Sequence, residues 1–517
     1  MFGSRSVFFF SLFAMAAILD GQTLDDLSGP THGKVIVCYV ATWAAYRPEL
    51  GKFELDNLDP GLCTHLVYSF AGLDEHANII KSLDPWQDLE KDYGKNGFKR
   101  LVALKQRYPH LKVTIAIGGW NEGSLKYSLM AEDPEKRSKF VKSVMLFLDM
   151  FKFDGLDLDW EYPARRDGRP IDKVNYVSLV KELKEAFEPK GYILTAALGA
   201  GKETMDAAYE LSKLSRYLDF IHMMCYDYHG TWDGVVGANA PLTGLSEEDV
   251  LSIEYTIKYM LSHGVSPYKM VLGLPMYGRS FVLTDPSTKD IIFGKTPAQS
   301  QGFKGPYTRE AGFLGYNEIC MEMSNSSSKW TQHWDAGSQT PYLRDGSRVI
   351  SYDNARSIAI KVKMAMDYEL GGLMVWSIDT DDFLGRCQPE SDPYVDFTER
   401  FQRIHKDPVM TVVLERLNLP DGTRREYLNR RSAYVLDNGV LNLRLPERQK
   451  TNYALMRTIN EATSLAIEEK MILDEMHKVE KENEIDVTER AKPGAGVVTS
   501  ASALTVVLSC VVLARNW

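Results

Sequence analysis

Asp157, Asp159 and Glu161 recur at every second position in the run Asp157-Leu158-Asp159-Trp160-Glu161. Side chains alternate across an extended strand, so the three carboxyls share one face and Leu156, Leu158 and Trp160 take the other. Like charges this close raise one another's pKa, so the three do not all ionise readily at neutral pH. One of them is expected to hold a proton, which is the state a general acid needs. An acidic surface strand would not interleave Leu156, Leu158 and Trp160. Three carboxyls could also hold a cation, but the strand step favours proton sharing. The sequence has no CxxC pair and no His cluster with metal-ligand spacing, so no metal or other cofactor is expected.

Eight short apolar runs supply the elements that must position this strand: Val35–Val40, Leu66–Phe70, Val113–Ile117, Phe153–Leu158, Ile193–Ala197, Phe220–Met224, Met270–Leu274 and Leu373–Trp376. Between them lie helical periods, for example Ser138–Met150 and Val174–Phe187. Asp133-Pro134 reads as a helix start with Pro in the first turn. Strands alternating with helices predict an α/β fold, a (β/α)8 TIM barrel with its helices outside. The carboxyl face then points inward, rising to the C-terminal mouth. The excess length falls between the seventh and eighth strands, about residues 279–350. That stretch is rich in Gly, Ser and Tyr and is expected to be a small α+β insertion.

The chain has 517 residues, with 60 Lys+Arg against 70 Asp+Glu, a formal charge of −10. Apolar residues are 44% and charged residues 25%, which excludes a wholly disordered or collagen-like chain. The acidic balance argues against nucleic acid as a partner. Nine Trp raise the expectation of stacking on a flat ligand. For any one Trp, core packing is an equal account. Trp43, Trp120, Trp232 and Trp376 all fall at or just past the ends of expected strands, which favours a cleft. Trp86, Trp330 and Trp334 read as structural.

Both ends of the chain point to export. Residues 1–22 read as a secretory signal, with Arg5 before an apolar run from Val7 to Leu19. Residues 493–517 contain a second apolar run, Val497 to Ala514, preceded by small residues. It fits a glycolipid-anchor signal or a single transmembrane helix; Arg515 suits the second. Either places a membrane among the partners and the bulk of the protein outside the cell. Outside the tail, which holds Cys510, five cysteines remain: two disulfides and one free thiol, with the pairing open. Asn325-Ser326-Ser327 is a glycosylation sequon in a polar stretch. Past Asp407, Val409–Leu419 and Tyr434–Leu445 read as strand and turn material. Glu461–Lys481 reads as an amphipathic helix, and Glu480–Lys492 as a charged stalk. Residues 406–492 thus form an extension, after a barrel placed at 30–405.

With these motifs in order, the sequence resembles glycoside hydrolase family 18, the chitinases. The family signature DxxDxDxE is matched by Asp154, Asp157, Asp159 and Glu161, and KxxxxxGGW by Lys112, Gly118, Gly119 and Trp120. A Met-x-Tyr-Asp stretch is matched by Met224, Tyr226 and Asp227, and the last strand by Gly371 through Trp376. The resemblance covers about residues 33–403 and is closest to arthropod chitinases lacking a chitin-binding module.

The resemblance implies an extracellular endo-chitinase that cleaves β-1,4 bonds between N-acetylglucosamine units by substrate-assisted, retaining catalysis. Glu161 would be the general acid. Asp159 would orient the 2-acetamido group, Asp157 would share its proton, and Tyr226 would steady the acetamido oxygen. Asp227 would bind the same sugar, Trp376 would floor the subsite at the scissile bond, and Trp43, Trp120 and Trp232 would line the cleft. Tyr39, Phe70, Tyr277, Arg279, Met224, Tyr162 and Gly119 are further substrate-binding candidates. Asp154 would be supporting. The implied disulfides are Cys38–Cys63 and Cys320–Cys387, leaving Cys225 as a buried thiol. His222 and His229 could be packing or loop residues. The expected partner is chitin or a chitooligosaccharide, bound by a monomer. The main alternative is a catalytically silent chitin-binding lectin or growth-factor-like protein on the same barrel. An endo-N-acetylglucosaminidase acting on N-glycans is another, and a surface protein whose business lies in the extension a third.

Overall fold

A computed structural model describes residues 28–387, 393–407, 409–410, 413, 434–437, 440–443 and 451–490. The expected signal sequence and membrane-attachment tail lie outside the described residues. The eight expected runs are all strands: Val35–Ala41, His65–Asp74, Lys112–Gly118, Gly155–Asp159, Ile193–Gly199, Phe220–Met224, Met270–Pro275 and Gly372–Trp376. They pair in parallel around a closed ring, the first strand bonding to both the eighth and the second. A further strand, Ile79–Ser82, adds antiparallel to the second. Helices between the strands complete a (β/α)8 barrel. Each strand is buried on both sides, which is why it reads as an apolar run rather than an alternating one.

Local chemistry sets the helix bounds. Asp133 accepts from the backbone N–H of Glu135 and Lys136, and Pro134 occupies the first turn of the helix Pro134–Phe151. Between the seventh and eighth barrel strands lies a five-stranded antiparallel sheet of Tyr277–Val282, Phe313–Gly315, Thr331–Asp335, Thr340–Asp345 and Arg348–Ser351. The helix Tyr316–Ser324 packs beside it. Cys38–Cys63 and Cys320–Cys387 are disulfides, and Cys225 is free and buried.

The extension departs most from expectation. Val409, Met410 and Val413 are helical, not extended. Met410 and Val413, three residues apart, bury one face against Met476 and Val479, and that burial overrides β propensity. Tyr434–Asp437 and Val440–Leu443 do pair as an antiparallel hairpin. The expected helix is longer than its amphipathic window: it runs Ala454–Arg490 and takes in the charged stalk as far as Arg490. Its first turns bury Leu455, Met456, Ile459, Ala462, Leu465 and Ala466 in the main barrel core. Each large apolar side chain there contributes about 1.5–3 kcal/mol. Deleting residues 406–492 would therefore uncover the core rather than remove an appendage. Among the described residues, no helix is long and apolar enough to cross a membrane.

Candidate active site

The carboxyl strand is flanked by the third and fifth barrel strands, with Ala116 and Thr195 level with Asp157. At the mouth the third strand must come very close to it. A Cβ on Gly118 (φ +117°) would lie 2.1 Å from the Asp159 carbonyl oxygen, so only glycine fits. Gly119 N–H donates to that same oxygen at 2.8 Å, and a Cβ there would strike the Phe70 ring. The KxxxxxGGW motif is thus a backbone clamp on the strand that carries Asp159.

Asp157 is fully buried and fully partnered. Tyr39 Oη donates to Oδ2 at 2.6 Å, Thr195 Oγ1 donates to Oδ1 at 2.6 Å, and His222 Nδ1 lies 3.1 Å from Oδ1. Burial pushes its pKa up, but His222, Thr195 and Tyr39 outweigh that and hold it below the ordinary carboxylate value. Asp159 has the opposite surroundings. Burial, then Glu161, then Asp157 drive its pKa well up, and its Oδ1 is buried with no hydrogen-bond partner. Glu161 is raised to about 7, mainly by burial, with Tyr162 and Arg166 opposing and Asp227 adding to the rise. Protons therefore reside on Asp159 and Glu161 near neutral pH, while Asp157 keeps its charge.

Across the mouth, Asp227 has φ +56°, and its N–H donates to Asn239 Oδ1 at 3.0 Å. Its carboxylate accepts from Tyr277 Oη and Arg279 Nε, both at 2.7 Å. Tyr226 packs edge-on to Tyr277 and reaches the Met374 sulfur at 3.9 Å. Trp376, Phe70 and Trp43 form one aromatic platform. Phe70 stacks on Trp376 at 5.7 Å and on Trp43 at 5.9 Å, and Trp43 meets Trp376 at 6.0 Å. Met224 packs, like Phe70 and Trp376, against the buried cluster beneath the platform that includes Tyr39 and Met374. The Ser69–Phe70, Glu161–Tyr162 and Trp376–Ser377 peptide bonds are cis.

The other candidates surround this core. Trp120 and Trp232 are exposed and outside the platform, each under a guanidinium: Arg166 is 3.6 Å from the Trp120 ring centroid and Arg279 is 5.3 Å from that of Trp232. Tyr39 and Tyr277 are buried and bond Asp157 and Asp227 through their hydroxyls, and Tyr39 also meets the Trp376 ring edge-on at 5.5 Å. Tyr162 lies half-buried against Gly199 and is hydrogen-bonded to Glu161, beside the acid. Asp154 is supporting, accepting from Val113 N–H at 2.7 Å and pairing with Lys105. Burial pushes the Cys225 thiol up to about 12, so it is inert. His229 pairs with Asp233 on a loop. Asn325 is exposed at a helix end.

Thr195, Arg166 and Asn239 were not legible as site residues, and His222 is a partner of Asp157 rather than a packing or loop residue. The one sequence signal was strand parity: Thr195 and His222 are polar interruptions on the inward face of apolar strands. Arg166 Nη1 donates to the carbonyls of Trp120 (2.9 Å) and Glu161 (3.1 Å), tying the acid's strand end to the neighbouring loop. Among the described residues, no group of His, Cys, Asp and Glu could hold a metal ion.

Three comparisons bear on this geometry. The family described as Glycosyl hydrolases family 18 matches residues 35–381. Probable chitinase 2 of Drosophila melanogaster is 46% identical over 490 residues, covering 93% of this chain and 91% of the fly protein. The crystal structure of Ostrinia furnacalis Group IV chitinase in complex with allosamidin is 40% identical, covers 72% of this chain and 99% of its own, and has a TM-score of 0.66. Human YKL-39, described as a pseudo-chitinase with retained chitooligosaccharide binding, is 33% identical over 68% of this chain and 95% of its own, with a TM-score of 0.62.

Proposed function

The chain belongs to family 18 of the glycosyl hydrolases and is a glycoside hydrolase of the chitinase type; from that membership we propose an extracellular, endo-acting chitinase that uses its substrate's own acetamido group as nucleophile. One observation carries the reading: Glu161 holds a proton up to about pH 7, beside an Asp159 whose Oδ1 is buried without a partner. A two-carboxylate retaining enzyme needs a second, ionised carboxylate across the sugar, a rule to which family 18 is a recognised exception. Asp227, the carboxylate on the far side, is already held by Tyr277 and Arg279. The nucleophile then comes from the substrate.

In the proposed cycle, Asp159 accepts the acetamido N–H on its free oxygen and Tyr226 Oη donates to the acetamido carbonyl. That oxygen attacks the anomeric carbon as the glycosidic bond breaks. The Glu161 proton passes to the leaving oxygen, and the sugar becomes an oxazolinium ion. Water attacks the same carbon from the vacated side and returns its proton to Glu161. The C–O bond of the ring opens to restore the acetamide, with configuration retained. As the ring acquires positive charge, the Asp159 proton is drawn toward Asp157, where it would displace the hydrogen bond from Tyr39 or Thr195, leaving Asp159 anionic beside the cation. The Trp43–Phe70–Trp376 platform would stack the apolar faces of neighbouring sugars.

Turnover of a fluorogenic chitooligosaccharide by the parent, lost in Glu161→Gln, tests the reading. A folded parent that binds the oligomer without cleaving it would move the chain to the pseudo-chitinase side, with YKL-39. Comparing chitin oligomers with glycoproteins separates chitinase from endo-N-acetylglucosaminidase.

The protein would act outside the cell as a monomer, glycosylated at Asn325 and attached by its C-terminal tail; its two disulfides support an oxidising compartment. Release from intact cells by a phosphatidylinositol-specific phospholipase would establish a glycolipid anchor, and retention would favour a spanning helix.

A further inference from the structure

The barrel sheet ends at Trp376, and a single 3-10 turn, Ile378–Thr380, follows it. This turn and the residue that ends it, Asp381, carry two buried carboxylates that face opposite ways. Asp381 accepts from Leu455 N–H at 3.2 Å and Met456 N–H at 2.9 Å, the first turn of the C-terminal helix. Asp379 is fully buried and reaches the turn after the first strand. Its Oδ1 accepts from Ala41 N–H at 3.1 Å, and its Oδ2 pairs with Arg47 Nη1 at 2.7 Å. Those two contacts bracket the 3-10 turn Thr42–Tyr46, which carries Trp43. Thr42 Oγ1 in turn donates to the Ser69 carbonyl at 2.8 Å, just before Phe70.

The helix holds this region from a second side. Tyr453 N–H donates to the Asp382 carbonyl at 2.7 Å, and Tyr453 Oη donates to the Asn57 carbonyl at 2.7 Å. Arg457 pairs with Asp59, and Asn460 Nδ2 donates to the Leu62 carbonyl. Residues 57–62 belong to the same connection that begins with Trp43. The helix therefore grips both ends of the aromatic platform: the turn behind Trp376 directly, and the Trp43 connection both through Asp379 and farther along its length.

We propose that the C-terminal helix is a positioning element of the cleft, acting through Asp381 and Asp379 to fix Trp43 and Trp376 around Phe70. The inference rests on the reading of that platform as a sugar-binding surface. Asp379, Arg47 and Asp381 are positioning residues: they touch no substrate and donate no proton. Loosening them lets the two Trp rings move apart, which weakens binding of the oligosaccharide and leaves the Glu161–Asp159–Asp157 stack in place. The expected signature is a rise in KM and Kd that exceeds the fall in kcat.

The test uses the full-length protein. Chitopentaose binding is measured by calorimetry in a Glu161→Gln background, and KM and kcat in the active form, for Asp379→Asn, Arg47→Met, their double variant and Asp381→Asn. Asp379→Asn or Arg47→Met is expected to raise Kd and KM about tenfold, the effect of one weakened buried contact at about 1.4 kcal/mol per tenfold. The double variant should be no worse than either single one, because both break the same pin. Asp381→Asn, acting from the helix side, should move Kd the same way and leave the pH dependence of kcat in place. Kd and KM within about twofold of the parent in all folded variants, or a loss confined to kcat, would overturn the proposal. If Asp379→Asn does not fold, Arg47→Met reads the same pin. A ligand-free measurement separates failure of this inference from failure of the sugar-binding reading. The near-ultraviolet circular dichroism that Trp43→Phe removes should also be diminished in Asp381→Asn. An unchanged spectrum there would overturn the proposal whatever the protein binds.

Discussion

Two acidic runs end two barrel strands of this molecule, and both are buried: Asp157-x-Asp159-x-Glu161 on the fourth strand and Asp379-x-Asp381-Asp382 after the eighth. Burial lifts proton affinity in both, Glu161 to about 7 and Asp381 to about 6. What separates them is the partners. In the second run every carboxylate is met by neighbours: Asp381 by Leu455, Met456 and Asp382 N–H, Asp382 by Arg386 and Cys387 N–H, and Asp379 by Ala41 N–H on Oδ1 and by an Arg47 ion pair, without a hydrogen bond, on Oδ2. In the first run Asp157 is filled and Glu161 meets Tyr162, but Asp159 keeps an oxygen with neither a hydrogen bond nor a cation. A raised pKa alone therefore does not mark a catalytic acid. A carboxyl whose partners are withheld is available for chemistry; one whose partners are supplied holds chain segments together.

The comparison breaks most visibly if the first run is removed and activity survives. Glu161→Gln should lower kcat by about 100-fold to 10,000-fold, the contribution of a positioned general acid. Asp159→Asn should also lose activity heavily, because the amide presents no anion to the forming cation. Neither variant should lower the unfolding free energy, since each removes the cost of keeping a buried carboxyl protonated near neutral pH. Denaturant unfolding of both beside the parent checks the second half. A large destabilisation would erase the distinction between the two runs.

Asp381→Ala tests the other side. It strands the Leu455 and Met456 N–H groups at a buried helix start, at about 1–3 kcal/mol each. A stability loss of about 3–5 kcal/mol is expected, read from the denaturation midpoint, with a loss of kcat far smaller than that of Glu161→Gln.

How much of this could be read from sequence follows the same division. The eight strands were legible because strands buried on both faces are continuous apolar runs. The first acidic run was legible because its partners are one another, two residues apart. The second run was not, because Asp381 is completed by Leu455 and Met456, more than seventy positions away. His222 and Thr195 were hidden for a related reason: parity turns them inward, but only closure of the barrel brings them to Asp157. Trp43 and Trp120 look alike as residues just past strand ends. The Thr42 and Asp379 contacts send one into the platform, and Arg166 holds the other outside it. Val409, Met410 and Val413 read falsely as strand because their side chains suit one until Met476 and Val479 offer a helical face to cover.

The pH dependence of stability sharpens the comparison. The folded pKa of Asp381, about 6, lies above the unfolded value of about 3.9. Its contribution is therefore fully present below about pH 4 and is lost as pH rises through 6. Replacing it by the neutral, similarly shaped Asn should remove that loss. Relative to the parent, Asp381→Asn should gain about 2–3 kcal/mol between pH 4 and pH 8, at about 1.36 kcal/mol for each pH unit separating the folded and unfolded values. Unfolding curves at the two pH values measure the difference directly. A parallel dependence in parent and variant would mean that the N–H groups of the helix keep Asp381 ionised in the folded protein at both.

The smallest effect expected concerns Arg166, whose charge lies beside Glu161 and opposes the rise in its pKa. The acid works protonated, so activity falls as pH rises through its pKa, at about 7. Arg166→Met removes the opposing charge, and Glu161 should then keep its proton to higher pH. The alkaline limb of kcat/KM should move up by about one pH unit or less, as expected for a neighbouring charge partly exposed to solvent. The same substitution frees the Trp120 ring from its guanidinium and from the backbone contacts at Trp120 and Glu161, so KM should rise as well. The two effects separate by salt: the movement of the limb is electrostatic and shrinks at high ionic strength, whereas the KM change persists. An alkaline limb that moves down would show that Arg166 serves Glu161 by holding its backbone rather than by its charge. The acid's proton would then be set by burial, with Tyr162 opposing and Asp227 adding to the rise, and the contrast between the two runs would rest on what fills their oxygens rather than on a neighbouring guanidinium.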